Sequence, residues 1–287
     1  MSETGNASIR PMKMDDLADA LSLSVTEGWN QTTDDWHFLL DNPENICIVA
    51  EIDRKVIGTA TALVHSGKVA WIGMVLVNRS CRGMGIGRLL MNDIIRNLDI
   101  SLNIKLDATP AGKPLYESLG FKDECQIIRM TAATVSMPGE SYYNNVYETG
   151  KELLQKLVEY DKPVFGASRE KVLAYLINNC FDRAFHSVTD DRIGGYVLGR
   201  KGSRFGYIGP LNADSPHIAQ ALLENVLHTM NGSAAAVDIH ADKTALIELL
   251  EKAGFVRQRE FTRMYLNKNE FPGDISKQFL ISGPEFG

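Results

Sequence analysis

Between Arg82 and Gly87 the chain reads Arg-Gly-Met-Gly-Ile-Gly, with glycines at alternate positions. The β-rich run Val75-Leu76-Val77 lies before it, and Ile86, Leu89, Leu90, Ile94 and Leu98 follow at helical spacing. A strand, a glycine turn and a helix N-terminus in this order make an anion site. The first amides of a helix have no internal partner, and the helix dipole adds positive potential at that end. Glycine lets the backbone take positive φ and approach a ligand with no Cβ in the way. The chemistry this predicts is phosphate or pyrophosphate binding. A nucleotide P-loop is excluded, because Ile86-Gly87-Arg88 lacks the Gly-Lys-Ser/Thr ending. The dinucleotide fingerprint fits poorly, because the spacing is G-x-G-x-G rather than G-x-G-x-x-G.

A second segment lies downstream, Thr109-Pro-Ala-Gly-Lys-Pro-Leu115-Tyr116-Glu-Ser-Leu-Gly120-Phe121. The two together resemble the GNAT-type N-acetyltransferase superfamily. Arg82-x-x-Gly85-x-Gly87 is similar to that family's R/Q-x-x-G-x-G/A loop, which cradles the pyrophosphate of acetyl-coenzyme A. The downstream segment resembles its N-x-x-A-x-x-L-Y-x-x-x-G-F element, with Tyr116, Gly120 and Phe121 at the expected spacing. Thr109 stands where the family usually has Asn, and Pro110 and Pro114 change the start of the helix. The resemblance runs from Ile9 to about Ala133. It implies acetyl-CoA as co-substrate and no metal. Val75, Leu76 and Val77 would hold the pantetheine by their backbone. Arg82, Gly83, Met84, Gly85, Ile86, Gly87 and Arg88 would take the pyrophosphate, with Thr109 nearby and Arg79 close enough to add charge. Tyr116 would be the general acid for the leaving thiolate. A phenol of pKa about 10 can protonate a thiolate of slightly lower pKa.

Attack by an amine on a thioester also needs a proton acceptor and a donor for the carbonyl oxygen. Many family members carry a Glu in the strand before the glycine loop, but Val69–Val77 has no acidic residue. Glu27, at the end of the first helix, is the first candidate base. The segment Glu27-Gly-Trp29-Asn30-Gln31 falls in the loop that borders the acceptor pocket in the family, where a carboxylate and an indole suit a cationic amine. His240 and Asp238 of the second domain are the other candidate bases, and His240 is also a candidate for the acceptor site. Asp238 alternates with Val237 and Ile239 and so is open to facing solvent, and a water chain with no dedicated base is an alternative.

The elements that must position these groups follow from periodicity. Leu17, Leu21 and Val25 predict a helix over 14–25, and Thr33 or Asp34 caps a second through Leu40. Residues 46–50, 56–64 and 69–77 read as strands, and 99–107 as a half-buried strand with Ile100, Leu102, Ile104 and Leu106 on one face. Pro138-Gly-Glu-Ser141 reads as a linker. Beyond it, helices at 151–160 and after Ser168, strands at 195–200 and 205–209, a helix from Pro216, a strand at 236–240 and a helix at 244–252 repeat the first order. Glu248-Leu-Leu-Glu-Lys-Ala-Gly-Phe255 parallels the Tyr116 element, and Asp161–Arg169 and Tyr207–Leu211 resemble the second half of a bacterial tandem GNAT subfamily. The expected fold is therefore α/β: two tandem GNAT-like domains, 1–137 and 138–287, each a mixed, mostly antiparallel sheet flanked by helices. In the second, Asn212-Ala-Asp-Ser-Pro-His217 replaces the glycine loop and Leu250 replaces Tyr116. A loop without glycine and with the carboxylate of Asp214 should not hold coenzyme A, so that domain is expected to be structural or to wall the acceptor pocket.

Composition is consistent with this. The chain has 287 residues, 44% of them hydrophobic, and a net charge of −6, which argues against nucleic acid or an anionic membrane as partner. Cys47, Cys81, Cys125 and Cys180 are scattered, with no metal-ligand spacing. No basic, apolar leader opens the sequence and no stretch reaches 18 apolar residues. The expectation is a cytoplasmic N-acetyltransferase, monomer or homodimer, acting on the primary amine of a small molecule. A protein or peptide acetyltransferase and a non-catalytic acyl-CoA sensor are the alternatives.

Overall fold

The computed structural model describes residues 7–137, 145–179 and 183–287; the expected linker at Pro138–Ser141 and Cys180 lie outside them. The first half runs β1 (Ser8–Pro11), α1 (Leu17–Thr26), α2 (Thr33–Asp41), β2 (Ile46–Ile52), β3 (Lys55–His65), β4 (Val69–Val77), α3 (Ile86–Asn97), β5 (Asn103–Ala108), α4 (Lys113–Ser118) and β6 (Phe121–Ala132). The second runs β7 (Val146–Glu148), α5 (Leu154–Phe165), α6 (Glu170–Asn179), β8 (Phe185–Thr189), β9 (Arg192–Arg200), β10 (Gly206–Ala213), α7 (Pro216–Thr229), β11 (Ala235–His240), α8 (Thr244–Lys252), β12 (Val256–Leu266) and β13 (Gln278–Leu280).

Two local expectations need correction. The cap of α2 is Thr32, one residue earlier than expected, because its side chain accepts from the Asp35 amide while Asp35 accepts from the Thr32 amide. The strand expected from Asp99 begins only at Asn103, and Ile100 is 92% exposed. Nor is β5 half-buried. Its alternate position Lys105 is also buried, where an ion pair with Glu124 at 2.9 Å compensates the charge.

All thirteen strands join one sheet in the order β1-β2-β3-β4-β5-β12-β6-β11-β13-β10-β9-β8-β7. Among these strands only β4–β5 and β10–β11 are parallel. The halves exchange one strand each: β12 lies between β5 and β6, and β6 lies between β12 and β11. One apolar cluster packs α3 and α4 on β2–β5, around Ile86, Leu90 and Ile94. Another joins Trp36, Leu39 and Trp71 of the first half to Leu157, Leu173 and Tyr196 of the second. A third fills the second half beneath α7 and α8.

Candidate active site

The β4–β5 ladder pairs Val69–Ile72 with Asn103–Leu106 and then ends. The cause is a bulge in β4. The β3–β4 register slips between Thr59 and Thr61, and Met74, a non-glycine residue, takes a φ of 50°. The carbonyls displaced by the bulge are not left unpaired, because the Thr59 hydroxyl donates to Met74 O at 2.7 Å and the Thr61 hydroxyl to Gly73 O at 3.2 Å. Beyond the bulge the strands part, and an open cleft of about 640 Å³ runs from Val75–Val77 to Thr109 and Tyr116.

The glycine loop closes the other end of this cleft. Gly83 and Gly85 both have a φ of 80°, and Gly85 is the N-cap of α3, its carbonyl accepting from the Leu89 amide. The amides of Ile86, Gly87 and Arg88 are left over at the helix start and face the cleft. Gly87 answers a packing need, since a Cβ there would lie 3.3 Å from Leu115 Cδ2. Arg82 and Arg88 border the cleft, and Arg88 also donates to Ser118 Oγ at 2.7 Å.

Of the sequence-derived positions, Val75, Leu76, Val77, Arg82, Gly83, Gly85, Ile86, Gly87, Arg88, Thr109, Tyr116, Glu27 and Trp29 all line this cleft. Met84 does not; its side chain points outward and is 43% exposed. Glu27 is spent on the arginines. Its Oε1 lies 2.6 Å from Arg82 Nη2 and 2.9 Å from Arg79 Nε. Burial raises the Glu27 pKa, but the hydrogen bonds and charge of Arg82 and Arg79 outweigh it and hold the carboxyl below the usual range. It is thus a weak proton acceptor. Asn30 and His240 are not brought to the site. Asn30 is buried and ties the loop after α1 to the second half, donating to Phe205 O and accepting from the Arg204 and Phe205 amides. His240 is buried beside Cys125, where burial, Arg263 and Lys243 push its pKa well down and keep it neutral. Asp238 does not face solvent. It is fully buried, in a two-point ion pair with Arg129 at 2.8 and 2.6 Å, and accepts from the Tyr207 hydroxyl.

Tyr116 is buried, which raises its phenol pKa to about 12, and its ring lies edge-on to Phe121. It stands where the cleft meets an inner cavity of about 60 Å³, together with Trp29, Val75, Thr109 and Arg259. Most of the inner wall was invisible to sequence reasoning. Asp107, Arg129, Arg259, Phe261 and Glu285 come from strands and a tail far apart in the chain, whereas Gln31 ends the Glu27–Gln31 loop, though it was not itself named as a site residue. Glu285 sits against the β4 bulge, where a Cβ on Gly73 would lie 2.8 Å from its Cα. Trp71 Nε1 donates to Pro284 O at 3.1 Å and holds that tail in place. Glu285 is ion-paired with Arg200, which also pairs with Asp35 at 2.9 Å. Burial, outweighing Arg200, holds the Glu285 pKa above the usual carboxylate range, and Asp35 adds to the rise.

The equivalent place in the second half is filled by the chain itself. The parallel β10–β11 pairing covers Gly206–Ile208 and Ala235–Val237, and beyond it β13 occupies the gap, pairing Leu280 with both Leu211 and Ile239. Asp214 is engaged within the chain, pairing with Arg192 at 2.9 Å and Lys277 at 3.0 Å. Leu250 is core.

A bulged strand splayed from its parallel neighbour, with a glycine-capped helix at the mouth, makes a cleft of the kind that takes a phosphate-bearing ligand, built here in a tandem of two α/β units. Two family models, each described as an acetyltransferase (GNAT) domain, match residues 43–123 and 157–280, and the chain belongs to that family of acyltransferases. It is similar to the uncharacterised N-acetyltransferase YitH of Bacillus subtilis (strain 168), 24% identical over 202 residues, 70% of this chain and 71% of that protein. A crystal structure from Pyrococcus horikoshii superimposes with a TM-score of 0.82 at 22% identity, covering 100% of this chain and 98% of that one. A tandem GNAT protein from the clavulanic acid biosynthesis pathway gives 0.58 at 13% identity, covering 91% and 98%. Among the described residues no helix is long and apolar enough to cross a membrane, and no group of three or more His, Cys, Asp or Glu is placed to hold a metal.

Proposed function

We propose that this chain moves an acetyl group from acetyl-CoA to the primary amine of a small molecule, at a single site in the β4–β5 cleft. The observation that carries the reading is the small inner cavity opening at Tyr116 onto the larger cleft. The cleft fits the co-substrate. Splayed β4 offers backbone to an extended pantetheine arm, and glycines at positive φ present helix amides to a pyrophosphate. The inner cavity admits a small acceptor and has no room for a folded protein surface. Bound acetyl-CoA supplies the electrophile, an acetyl thioester.

The residues then divide the work. The amine nitrogen bonds to the acetyl carbon as the carbon–sulfur bond breaks, giving an amide and free CoA thiol. Glu285, a buried carboxylate with a raised pKa in the cavity wall, accepts the proton lost by the amine, directly or through water. Tyr116 gives its phenolic proton to the leaving sulfur. Trp29 and Phe261 wall the cavity against bulk water. Because β13 fills the corresponding gap of the second half, we assign that half no co-substrate and make it a wall of the acceptor site.

Calorimetric titration of acetyl-CoA into wild type and Gly85→Glu tests this, followed by thiol release over a panel of amines. Any side chain at Gly85 is strained by its φ of 80°, and the added carboxylate opposes phosphate. One equivalent bound, lost in the variant, with turnover of small amines is the expected result. Two equivalents would contradict the single site, and binding without turnover of any amine would leave an acyl-CoA sensor.

A further inference from the structure

Every charged side chain that lines the inner cavity has an opposite partner except one. Asp107 is held by Arg263 at 3.0 Å, Arg129 by Asp238, and Glu285 by Arg200. Arg259 also lines the cavity, yet among the described residues it makes no ion pair and no hydrogen bond. It is half-buried, and burial together with nearby Arg129 pushes its pKa down from the ordinary value. The sheet puts it there deliberately. Arg259 is the cross-strand partner of Arg129, and a β12 bulge between Arg257 and Arg259 turns the local side chains relative to the sheet. Like charges directly opposite are destabilising, and both carboxylate oxygens of Asp238 are bonded to Arg129, with no bond to Arg259.

The opposite wall has the complementary defect. Asp35 and Glu285 share the single guanidinium of Arg200, so this cluster carries an excess negative charge. Gln31 donates its amide to Glu285, and its Oε1 is buried with no donor. Gln31 is 4% exposed and lines the same cavity. A buried acceptor without a donor costs free energy unless a ligand supplies one.

We propose that the acceptor is a small amino carboxylate of the amino-acid class, its carboxylate on Arg259 and its amine on Gln31 Oε1 beside Glu285. This rests on the acetyltransferase reading. Arg259 stands at the neck shared with Trp29, Val75, Thr109 and Tyr116 and also lines the inner cavity, which no residue of the glycine loop does, so it can meet an acceptor there. The positive group and the donor-seeking oxygen face one cavity of about 60 Å³, and a short zwitterion satisfies both.

The test uses matched pairs: L-amino acids and the amines formed by removing their carboxyl groups, assayed by thiol release with wild type, Arg259→Gln and Arg259→Lys. Binding of the same amino acids to the CoA-saturated enzyme is measured by calorimetry. Acetylation restricted to the carboxylated member of a pair is expected. In Arg259→Gln, KM for that acceptor should rise about 10- to 100-fold, the worth of a charge-assisted hydrogen-bond pair. Arg259→Lys should recover part of the loss, and the acetyl-CoA dissociation constant should be unchanged in both. Equal or better use of the decarboxylated amines would overturn the inference and leave the acetyltransferase reading standing. So would a fall in kcat common to all acceptors, which would put Arg259 at the thioester. Failure of wild type to bind acetyl-CoA would remove both readings.

Discussion

Tyr116 and Glu285 face one cavity, and burial raises the proton affinity of both. A phenol raised to about 12 stays protonated at any working pH and can only donate. Tyr116→Phe should therefore lower kcat about 100-fold, the low end for loss of a positioned general acid, while the acetyl-CoA dissociation constant stays within about twofold. Single-turnover thiol release alongside calorimetry separates the two. In the proposed role Glu285 must be ionised to accept a proton, so activity is expected to rise with pH as its carboxyl deprotonates. Because burial and Asp35 raise its pKa, that limb lies at higher pH than for an ordinary Glu. In Glu285→Gln the carboxylate limb should vanish from the kcat/KM profile, leaving only ionisation of the amine substrate. A profile unchanged from wild type would assign the proton to water. Arg200 keeps Asp35 as partner in this variant, so the buried cation is not abandoned. Glu285 and its network were not legible in the sequence: the stretch holding Gln31 and Asp35 is far along the chain from Arg200 and Glu285, and no local pattern links the three places. Glu27 was legible as a cleft residue, but its spacing says nothing of the two arginines that pair with it.

Elements were legible where their cause is local. The run from β4 through the glycine loop into α3 was read at nearly its final bounds, because alternation, glycine and helical spacing change within a few residues of one another. The β4 bulge was not, because it depends on a strand partner. Met74 accepts a positive φ only because Thr59 and Thr61, on the neighbouring strand, satisfy the carbonyls it turns out. β13 escaped notice for the same reason: three residues have no period, and their strand state comes from the gap they fill. The bulge is what opens the cleft, so its support is testable. Thr59→Val keeps the side-chain volume and removes the donor to Met74 O. It should cost about 1–3 kcal/mol of stability for the unsatisfied buried carbonyl. It should also weaken acetyl-CoA binding, although Thr59 lines neither the cleft nor the inner cavity. Lower thermal stability with unchanged acetyl-CoA affinity would show that the bulge stands without its hydroxyl.

At the scale of the whole molecule, the repeat in sequence does not correspond to two separable bodies. The exchanged strands β12 and β6 place the longest ladder of the sheet, Val256–Leu266 against Phe121–Thr131, between the halves. Buried ion pairs cross the same seam, Arg263 to Asp107 and Arg129 to Asp238. One apolar cluster also draws Trp36, Trp71, Leu157, Leu173 and Phe286 from both halves. Unfolding either half alone would expose that cluster and leave buried charges unpaired, a cost of several kcal/mol per ion. The sequence order of strands and helices foretold a tandem; it could not foretell the exchange, because pairing between distant strands leaves no local signature. Linked domains usually unfold separately unless their interface is large and apolar. Here a single calorimetric transition is expected, with calorimetric and van't Hoff enthalpies in agreement. Acetyl-CoA at about 100 times its dissociation constant should raise that one transition as a whole, by a free energy of about 2.7 kcal/mol. A ligand-sensitive transition resolved from a ligand-insensitive one would mean that the first half folds without β12, and the acceptor cavity would then lose its Arg259 and Phe261 wall before the co-substrate cleft melts.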